Sequence, residues 1–368
     1  MVTIYLQILF DKDYYPYSGF IRAKRKYRAQ SKGASEEKMT KSLLPPAIRL
    51  ALLLCCGLPA AVHPDRAGAQ TYPAKPIRLV IPFPAGGASD ILARTVADKL
   101  GDAFKQQVIV DNRAGAGGLI AIDAVAKTPP DGYSLLQIAT SFVINPSLFK
   151  KVSYDPGKDF SPIALLAIAD NIVVVHPSLP VKTLKDLISL AKARPHDLNY
   201  AHSGSGTQAY LGAELFKQMV GVDIVPVPYK GTPAALLDVI SGQVHLMFAG
   251  APPALTQIRA GKLRALAVTG KARMPDLPAV PAAAETLPGF EASVWYGILA
   301  PAGIPQDIVI RLNAEVNRIL GLPDVRERLV NAGFRTLAST TEEFSAYMKS
   351  EGAKWAKVIR DSGTRVAD

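Results

Sequence analysis

The sequence predicts an α/β protein with mainly parallel sheets. Two observations favour this class: short apolar runs alternate with helical patterns, and glycine-rich turns follow several of the runs. Such alternation implies parallel strands joined by helical crossovers, and in these sheets ligands bind beyond the carboxyl ends of the strands. The runs predicted as strands are residues 77–83, 107–111, 134–139, 163–168, 172–175, 224–227, 244–248, 264–268 and 297–300.

The first glycine-rich turn lies in residues 77–90, IRLVIPFPAGGASD. An apolar run leads into prolines, paired glycines and a helical pattern, for which Ser89 or Asp90 is the predicted N-cap. A helix start presents free backbone N–H groups and a partial positive charge, and glycine lets a ligand approach them. The segment therefore predicts an anion-binding loop, although an ordinary strand-to-helix turn would have the same pattern.

The same order of apolar run, glycine-rich turn and apolar helix start recurs twice. It is found in residues 106–122, QQVIVDNRAGAGGLIAI, and in residues 198–216, LNYAHSGSGTQAYLGAELF. Because the carboxyl ends of parallel strands meet at one edge of a sheet, three such loops in one chain predict a shared cleft.

The order and spacing of six motifs are typical of a known family. They are FPAGGASD (83–90), NRAGAGG (112–118), PPDGY (129–133), SGSGT (203–207), YKGTPAALLDVISGQVHLMF (229–248) and PAGIP (301–305). Over residues 71–368 the chain resembles the Bug (TctC) family of periplasmic solute-binding proteins, the receptors of tripartite tricarboxylate transporters. The resemblance implies a two-lobed periplasmic-binding-protein (Venus-flytrap) architecture, with a mainly parallel sheet in each lobe and a small carboxylate bound between the lobes.

In this architecture two loops would close on the carboxylate from opposite sides. We call residues 83–90 the first loop and residues 203–207 the second loop. Backbone N–H groups and hydroxyls suit the ligand, because several neutral donors hold an anion without a buried countercharge. We expect Asp90 to cap its helix or orient a water molecule, since its carboxylate would repel the ligand. The predicted binding residues in the two loops are Phe83, Ala85, Gly86, Gly87, Asp90, Ser203, Gly204, Gly206 and Thr207.

Two more segments follow predicted strands and are candidates for the same site. The first contains Thr140, Ser141 and Asn145 and would add hydroxyl and amide contacts, although a turn before Pro146 would select the same residue types. The second contains Tyr229, Lys230 and Gly231 and would add an aromatic wall and a cation before the helical pattern of residues 233–240. Phe248 is a weaker candidate than Phe83 for the apolar wall, since a buried phenylalanine is more often core. The residues predicted in these segments are Thr140, Ser141, Asn145, Tyr229, Lys230 and Gly231.

The chain departs from the family pattern at two places. His245 stands where aspartate is usual, and it either adds a pH-sensitive group or occupies an ordinary strand position. The segment AGAPPAL after Phe248 lacks the usual acidic or amide residue. The resemblance is therefore a better guide to the fold of this chain than to the identity of its carboxylate ligand.

The first 69 residues do not resemble the predicted domain. From Met39 the chain has basic residues, an apolar stretch over residues 50–62 and the small residues Ala67-Gly68-Ala69, which predict a signal peptide cleaved near Gln70. The stretch is too short for a membrane anchor, which needs roughly 20 residues. We predict a signal peptide over residues 39–69, export to the periplasm, and a mis-start or disordered extension over residues 1–38.

Cysteines and charge exclude other classes. Both cysteines, Cys55 and Cys56, lie in the predicted signal peptide, so thiol chemistry and disulfides are not expected in the mature chain. Lipidation at either cysteine is an alternative, but Leu54 stands where a small residue is usual. The net charge is +11 for the whole chain, and about +5 remains after residue 69. This modest positive charge is not concentrated in a stripe of basic residues, which nucleic-acid binding requires.

The pattern after the signal peptide predicts two domains, with residues 70–170 and 292–368 in the first and residues 171–291 in the second. Strands that cross between two such domains suit a hinge that closes on a ligand. The last predicted helix, residues 341–360, has an apolar stripe that indicates core packing. Its members are Phe344, Tyr347, Met348, Trp355, Val358 and Ile359.

A hydrolase using Ser203 and His202 is the alternative from another class. The required motifs are incomplete, because Ser203 replaces the first glycine of a nucleophile elbow and Ile120 replaces the third glycine of a dinucleotide fingerprint. The histidines show no close metal-ligand spacing. We therefore predict a monomeric, non-enzymatic receptor without a cofactor or metal, acting with membrane transporter subunits. A binding protein for a sensor kinase is the third interpretation.

Overall fold

The computed structural model describes residues 72–362. The predicted extension, the signal peptide with its cleavage site near Gln70, and both cysteines lie outside the described residues. The strands are β1 (Ile77–Ile81), β2 (Val108–Asn112), β3 (Ser134–Ala139), β4 (Phe160–Val175), β5 (Asn199–His202), β6 (Val225–Pro228), β7 (Leu246–Gly250), β8 (Arg264–Val268), β9 (Ser293–Pro301) and β10 (Phe334–Thr336).

Helices alternate with these strands as the sequence predicts. They are α1 (Ala88–Phe104), α2 (Leu119–Ala126), α3 (Ser141–Leu148), α4 (Leu184–Ala193), α5 (Gln208–Val220), α6 (Thr232–Ile240), α7 (Ala251–Arg259), α8 (Gln306–Gly321), α9 (Pro323–Asn331) and α10 (Thr341–Ser362). Short 3-10 turns lie at Ala116–Gly118 and Ala283–Glu285. In residues 72–362 no helix is both long and apolar enough to cross a membrane.

The strands form a curled, mixed sheet. β1 pairs in parallel with β2 and β3, and β5 pairs in parallel with β6 and β7, as expected for strands joined by helical crossovers. β4 and β9 run antiparallel to their neighbours. The expectation of parallel pairing thus holds among β1, β2 and β3 and among β5, β6 and β7, whereas the edge strands β8 and β10 pair antiparallel with β4. It fails for β4 and β9 because these two strands connect the halves of the sheet instead of belonging to a βαβ unit.

β4 joins what the sequence predicts as two strands. Residues 163–168 and 172–175 belong to one strand of 16 residues, because the polar pair Asp170 and Asn171 continues the strand without a turn. Up to Asp170 the strand pairs with β9 and β10, and from Asn171 onward it pairs with β7 and β8. β4 therefore changes partners in its middle.

Four hydrophobic clusters divide where β4 changes partners, and a fifth joins Leu211 of α5 to residues of α3 and α10. Two clusters draw on the strands that pair with the first part of β4 and on α1, α2, α8 and α10. Two others draw only on residues between 172 and 292. The predicted stripe of α10 is core: Phe344, Met348, Trp355 and Ile359 are buried, and Tyr347 and Val358 pack against the same clusters.

Candidate functional site

A cavity of about 70 Å³ lies beyond the carboxyl ends of β1, β3, β5 and β7, where the sheet rule predicts a ligand site. Its apolar wall includes Phe83, Pro84, Pro233, Phe248, Pro253 and Tyr296. Its polar side chains include Ser89, Ser141, Asn171, Ser203, Thr207 and Gln208. Among the described residues, no lysine, arginine, aspartate or glutamate lines this cavity. Any charge bound inside would therefore be held by neutral groups.

Five helices begin at the wall of the cavity. Residues at the start of α1, α3, α5, α6 and α7 all belong to its lining: Ala88, Ser141, Gln208, Thr232 and Pro253. The first N–H groups of a helix have no partner within the helix, and the aligned peptide dipoles place partial positive charge there. The convergence favours an anion over a neutral or cationic ligand.

Asp90, which does not line the cavity, anchors the first loop through hydrogen bonds. Its carboxylate accepts hydrogen bonds from the Gly86 backbone N–H at 3.0 Å, from Arg94 Nε at 3.0 Å and from Asn112 Nδ2 at 3.0 Å. Burial raises the pKa of Asp90, but the hydrogen bonds from Arg94, Gly86 and Asn112 outweigh it, so the pKa lies below its usual value. Asp90 is thus a charged anchor that does not line the cavity.

The start of α1 also corrects a prediction. The N-cap is Gly87, without a side-chain capping bond, and not Ser89 or Asp90. Asp90 is the third helical residue and reaches back to Gly86, so it satisfies an N–H group that precedes the helix. The expectation that Asp90 caps α1 fails for this reason. The Gly86 N–H is engaged by Asp90 and is not directed at the cavity.

A buried glutamine orients Ser89. Gln137 Nε2 donates to the Ser89 backbone oxygen at 2.8 Å and to Ser89 Oγ at 2.7 Å. A carbonyl oxygen only accepts, so the first bond fixes which end of the Gln137 amide is the nitrogen. Ser89 Oγ is then an acceptor towards Gln137, and the hydroxyl keeps its own proton for another partner. Ser89 therefore presents a donor at the cavity wall.

The second loop is held by neutral groups. The Thr207 hydroxyl donates to the Gly204 backbone oxygen at 2.7 Å and accepts from the Tyr210 backbone N–H at 3.3 Å, as the N-cap of α5. Both capacities are used within the loop, so this hydroxyl is not free to donate to a ligand as the sequence predicts. Ser203 lines the cavity beside it.

Asn171 and Gln208 form a buried amide pair at the cavity. Asn171 Nδ2 donates to Gln208 Oε1 at 2.7 Å and to the Ala292 backbone oxygen at 3.2 Å. Because the Ala292 carbonyl can only accept, it fixes the Asn171 amide and, through it, the Gln208 amide. Gln208 Nε2 is left without a hydrogen-bond partner in the described structure, although Gln208 is only 2 % exposed. A buried donor without a partner is costly, so an acceptor in the cavity, from water or from a ligand, would stabilise Gln208 Nε2.

The structure brings five of the predicted residues to the cavity wall: Phe83, Gly87, Ser141, Ser203 and Thr207. The other predicted loop residues, Ala85, Gly86, Asp90, Gly204 and Gly206, do not belong to the lining. Gly206 has a packing role, since a Cβ there would lie 2.6 Å from Asn145 Oδ1. Gly231 packs even more closely on the first loop, because a Cβ there would overlap Pro84 Cγ.

Four other predicted residues lie away from the lining. Thr140 Oγ1 accepts from the Trp295 backbone N–H at 3.0 Å, and Asn145 Nδ2 donates to the Gly117 oxygen at 3.0 Å. Tyr229 donates to Asp238 at 2.6 Å, and burial with this hydrogen bond raises the pKa of Tyr229 to about 12. Lys230 is exposed. These four residues were predicted from position after a strand, which does not determine where a side chain points.

The shared cleft contains two of the three predicted loops. Residues 112–118 do not line the cavity. Gly117 instead accepts the hydrogen bond of Asn145. That glycine-rich segment therefore supports the second loop indirectly, because Asn145 is packed against Gly206.

Sequence reasoning missed the amide groups. Gln137 and Asn171 were not predicted, and Ser89 was predicted only as a cap. Gln208 directly follows Thr207 in the second loop, so its position at the first turn of a predicted helix was an available signal. Asn171 stands at the predicted domain boundary, where β4 changes partners.

Two histidines have structural partners. The His202 ring accepts from the Gly204 N–H at 3.4 Å and packs against the rings of Tyr200 and Tyr210. Burial lowers the pKa of His202. No hydrogen bond links it to Ser203 in the described residues, as a hydrolytic pair would need. His245, which directly precedes β7, places Nδ1 2.8 Å from Oδ1 of Asn199 in β5, and it lies outside the cavity.

The family model for the tripartite tricarboxylate transporter family receptor matches residues 92–364. The chain belongs to this family. Its relatives include BugT of Bordetella pertussis, 37 % identical over 301 residues, which are 81 % of this chain and 92 % of the relative. The UPF0065 protein in the tcbD-tcbE intergenic region of Pseudomonas sp. (strain P51) is 39 % identical over 292 residues, which are 79 % of this chain and 87 % of the relative.

Solved structures of related receptors have the same α/β periplasmic-binding-protein fold. A protein of R. palustris with adipate is 37 % identical with a TM-score of 0.78, and the match covers 79 % of this chain and 98 % of that one. MatC from Rhodopseudomonas palustris with bound malate is 33 % identical with a TM-score of 0.74, covering 78 % and 100 %. The predicted family and fold class are confirmed.

Proposed function

We propose that this protein is a periplasmic receptor that captures a small carboxylate in the cavity and delivers it to a tripartite tricarboxylate-type transporter. The observation that carries the proposal is the convergence of five helix starts on a cavity without a charged side chain among the described residues. Adipate and malate in the related structures support the same chemistry, since both are carboxylates. The predicted signal peptide supports the periplasmic location.

The donors that we assign to the ligand come from the two loops, the helices that follow them and the start of α3. Ser89, with the backbone of Gly87 and Ala88, would act from the side of the first loop, and Ser203 and Gln208 from the side of the second. Ser141 would contribute from the start of α3. Because each is neutral, the bound carboxylate keeps its charge while its oxygens exchange water for protein donors.

We propose that the cavity closes by a hinge between residues 70–170 with 292–368 and residues 171–291. The change of partners within β4 and the cores that lie on either side of it support these boundaries. β9 begins at Ser293, next to the second boundary, so two strands would form the hinge. A ligand that contacts both loops would favour the closed state.

Isothermal titration calorimetry with mono-, di- and tricarboxylates tests the binding function. We expect one member of the panel to bind with 1:1 stoichiometry and to raise the melting temperature. Ser203→Ala should weaken that binding, and mass analysis of the ligand after incubation should show it unchanged. Turnover that Ser203→Ala abolishes would instead establish the hydrolase. A binding protein for a sensor is distinguished by transport assays in cells with and without membrane subunits of a tripartite tricarboxylate-type transporter.

A further inference from the structure

A second cavity, of about 580 Å³, lies on the other face of the two strands that we assign to the hinge. Side chains alternate between the two faces of a strand. Asn171 of β4 and Tyr296 of β9 line the cavity that the two loops face, which we call the front cavity. Their chain neighbours Asp170 and Trp295 line the second one, which we call the rear cavity. The hinge strands therefore separate the two cavities.

Both proposed domains contribute walls to the rear cavity. Residues 271–276 belong to the second domain, whereas Phe334 and Tyr347 belong to the first. Between these walls Ser293 Oγ of β9 donates to Asp170 Oδ1 of β4 at 2.6 Å, which links the two hinge strands. A rotation about these strands that separates the two loops at the front would bring the rear walls together. Opening of the front cavity therefore narrows the rear cavity.

Part of the lining of the rear cavity is apolar and aromatic. Trp295, Phe334 and Met274 are buried there, and the ring of Tyr347 packs edge-on against Trp295 with the centroids 5.8 Å apart. Val330 adds an apolar side chain that is 43 % exposed. Such a surface suits the apolar body of a small organic molecule.

The charge that is accessible in the rear cavity is positive. Three ion pairs line it, and in each the basic side chain is more exposed than the acidic one. The pairs are Lys271–Glu291 at 3.8 Å, Arg335–Asp170 at 3.6 Å and Lys354–Glu351 at 3.3 Å. The exposed fractions are 82, 62 and 44 % for the bases, against 32, 9 and 12 % for the acids. Since exposed ion pairs contribute little to stability, these cations can turn towards a bound anion at low cost.

The other charged residues of the lining keep this balance. Asp276 pairs with Arg259, and Arg273 pairs with Glu285; neither Arg259 nor Glu285 lines the rear cavity. Asp276 is the less exposed member of its pair, as the acids above are. An anion in the rear cavity thus meets mainly the basic ends of these pairs.

We propose that the rear cavity is a second ligand site, which takes a small organic anion with an apolar body, because it combines an aromatic lining with accessible cations. The site does not depend on the proposed function, whereas its coupling to the front cavity rests on the proposed hinge. An anion that fills the rear cavity opposes its narrowing, so it favours the closed state and strengthens carboxylate binding at the front. By linkage, the carboxylate strengthens binding at the rear by the same factor.

Fluorescence titration with 8-anilino-1-naphthalenesulfonate tests the site in the protein expressed from its full coding sequence. This probe is an aromatic sulfonate whose emission rises when it leaves water. We expect saturable binding of one probe per protein, weakened at least threefold by Arg335→Gln and at least tenfold by Val330→Glu. Arg326→Gln and Ile310→Glu make the same charge changes at exposed positions outside the rear cavity and should bind the probe as the wild type does. Circular dichroism melting curves check that all four variants fold.

A carboxylate that binds the front cavity then tests the coupling. At a saturating concentration it should raise the affinity for the probe at least threefold, and saturating probe should raise the affinity for the carboxylate by the same factor in calorimetry. A fall in probe affinity on addition of the carboxylate would contradict the proposal, as competition for the front cavity would produce it. Unchanged affinities in both directions would overturn the coupling through the hinge.

The outcomes separate the rear site from the proposed function. Equal probe affinities in the wild type and in folded Arg335→Gln and Val330→Glu would overturn the rear site and leave the carboxylate receptor intact. Absence of binding across the carboxylate panel would overturn the proposed function. In that case, weaker probe binding in the two rear-cavity variants than in their controls would still establish the rear site.

Discussion

The two loops that face the cavity are fixed by different chemistry. The first is anchored from behind by an ionised carboxylate, Asp90, with Arg94 and Asn112 as partners. The second is anchored by neutral bonds, the Thr207 cap and the Gly204 contact to His202. Both arrangements leave neutral donors at the cavity wall. The comparison shows that a charge can stabilise a loop at the cavity without lining the cavity itself.

Loss of the charged anchor should have the largest effect on stability. Asp90→Ala removes the acceptor of Gly86, Arg94 and Asn112, and we expect the free energy of unfolding to fall by about 2 kcal/mol, since bonds to a charged group are the stronger ones. Urea unfolding measures this change. Asp98→Ala, on the exposed side of the same helix, is the control and should differ little from the wild type.

The charged anchor also predicts a pH dependence. The pKa of Asp90 is lower in the folded protein than its usual 3.8. The carboxylate therefore contributes stability above pH 3.8 that is lost as the pH falls through the folded pKa. Asp90→Asn should lose less stability than the wild type over that acidic range. Equal acid sensitivity of the two proteins would argue against Asp90 as the anchor.

Overpacking the second loop should have the next largest effect. Gly206→Ala places a Cβ 2.6 Å from Asn145 Oδ1 and 3.1 Å from the Phe149 ring, so we expect a cost of about 1–2 kcal/mol and a displaced loop with weaker carboxylate binding. Gly321→Ala, at a site with no heavy atom within 4 Å of the added Cβ, provides the control. Identical affinities for the two variants would contradict close packing at Gly206.

Removal of the neutral cap should cost about 1 kcal/mol. Thr207→Val loses the acceptor of the Tyr210 N–H and the donor to Gly204, and calorimetry should show weaker binding because the second loop loosens. Thr183→Val is matched to it, since Thr183 caps α4 away from the cavity and accepts from the Asp186 N–H at 3.1 Å. Thr183→Val should lower the free energy of unfolding by a similar amount and leave the affinity for the carboxylate unchanged. If both variants lost affinity equally, the loss would reflect general destabilisation and not the loosened second loop.

The smallest expected effect concerns His202. Burial lowers its pKa from 6.5, so the unfolded chain binds a proton before the folded protein does. Stability from the neutral ring is present above pH 6.5 and is lost as the pH falls towards the folded pKa. His202→Gln should flatten this part of the stability profile, measured by thermal unfolding between pH 5 and pH 8. The exposed His196→Gln is the control, and an equal change in both would contradict the assignment.

Much of the fold follows from local sequence. The apolar runs bounded by glycine and proline mark the strands well, and the glycine-rich turns place the first and second loops at the cavity. The antiparallel course of β4 and β9 was not predictable from alternation, because pairing between distant strands leaves no local pattern. The continuity of β4 was hidden by Asp170 and Asn171, whose polarity resembles a break.

The site was predicted less completely for a related reason. Backbone donors and hydroxyls near glycine are recognisable from local motifs, and Gly87, Ser203 and Thr207, which such motifs predict, line the cavity. The amide contacts are not local: Gln137 and Ser89 are separated by 48 residues, and Asn171 and Gln208 by 37. Their hydrogen-bond directions depend on carbonyls that only the folded chain brings together.

Native mass spectrometry of the protein, expressed from its full coding sequence and purified without refolding, tests the central claim, that neutral donors in this cavity bind a small carboxylate. We predict an intact mass above the denatured mass by one small acid, which is released on unfolding and identified by its mass. An empty protein that also shows no thermal shift with mono-, di- and tricarboxylates would contradict the claim.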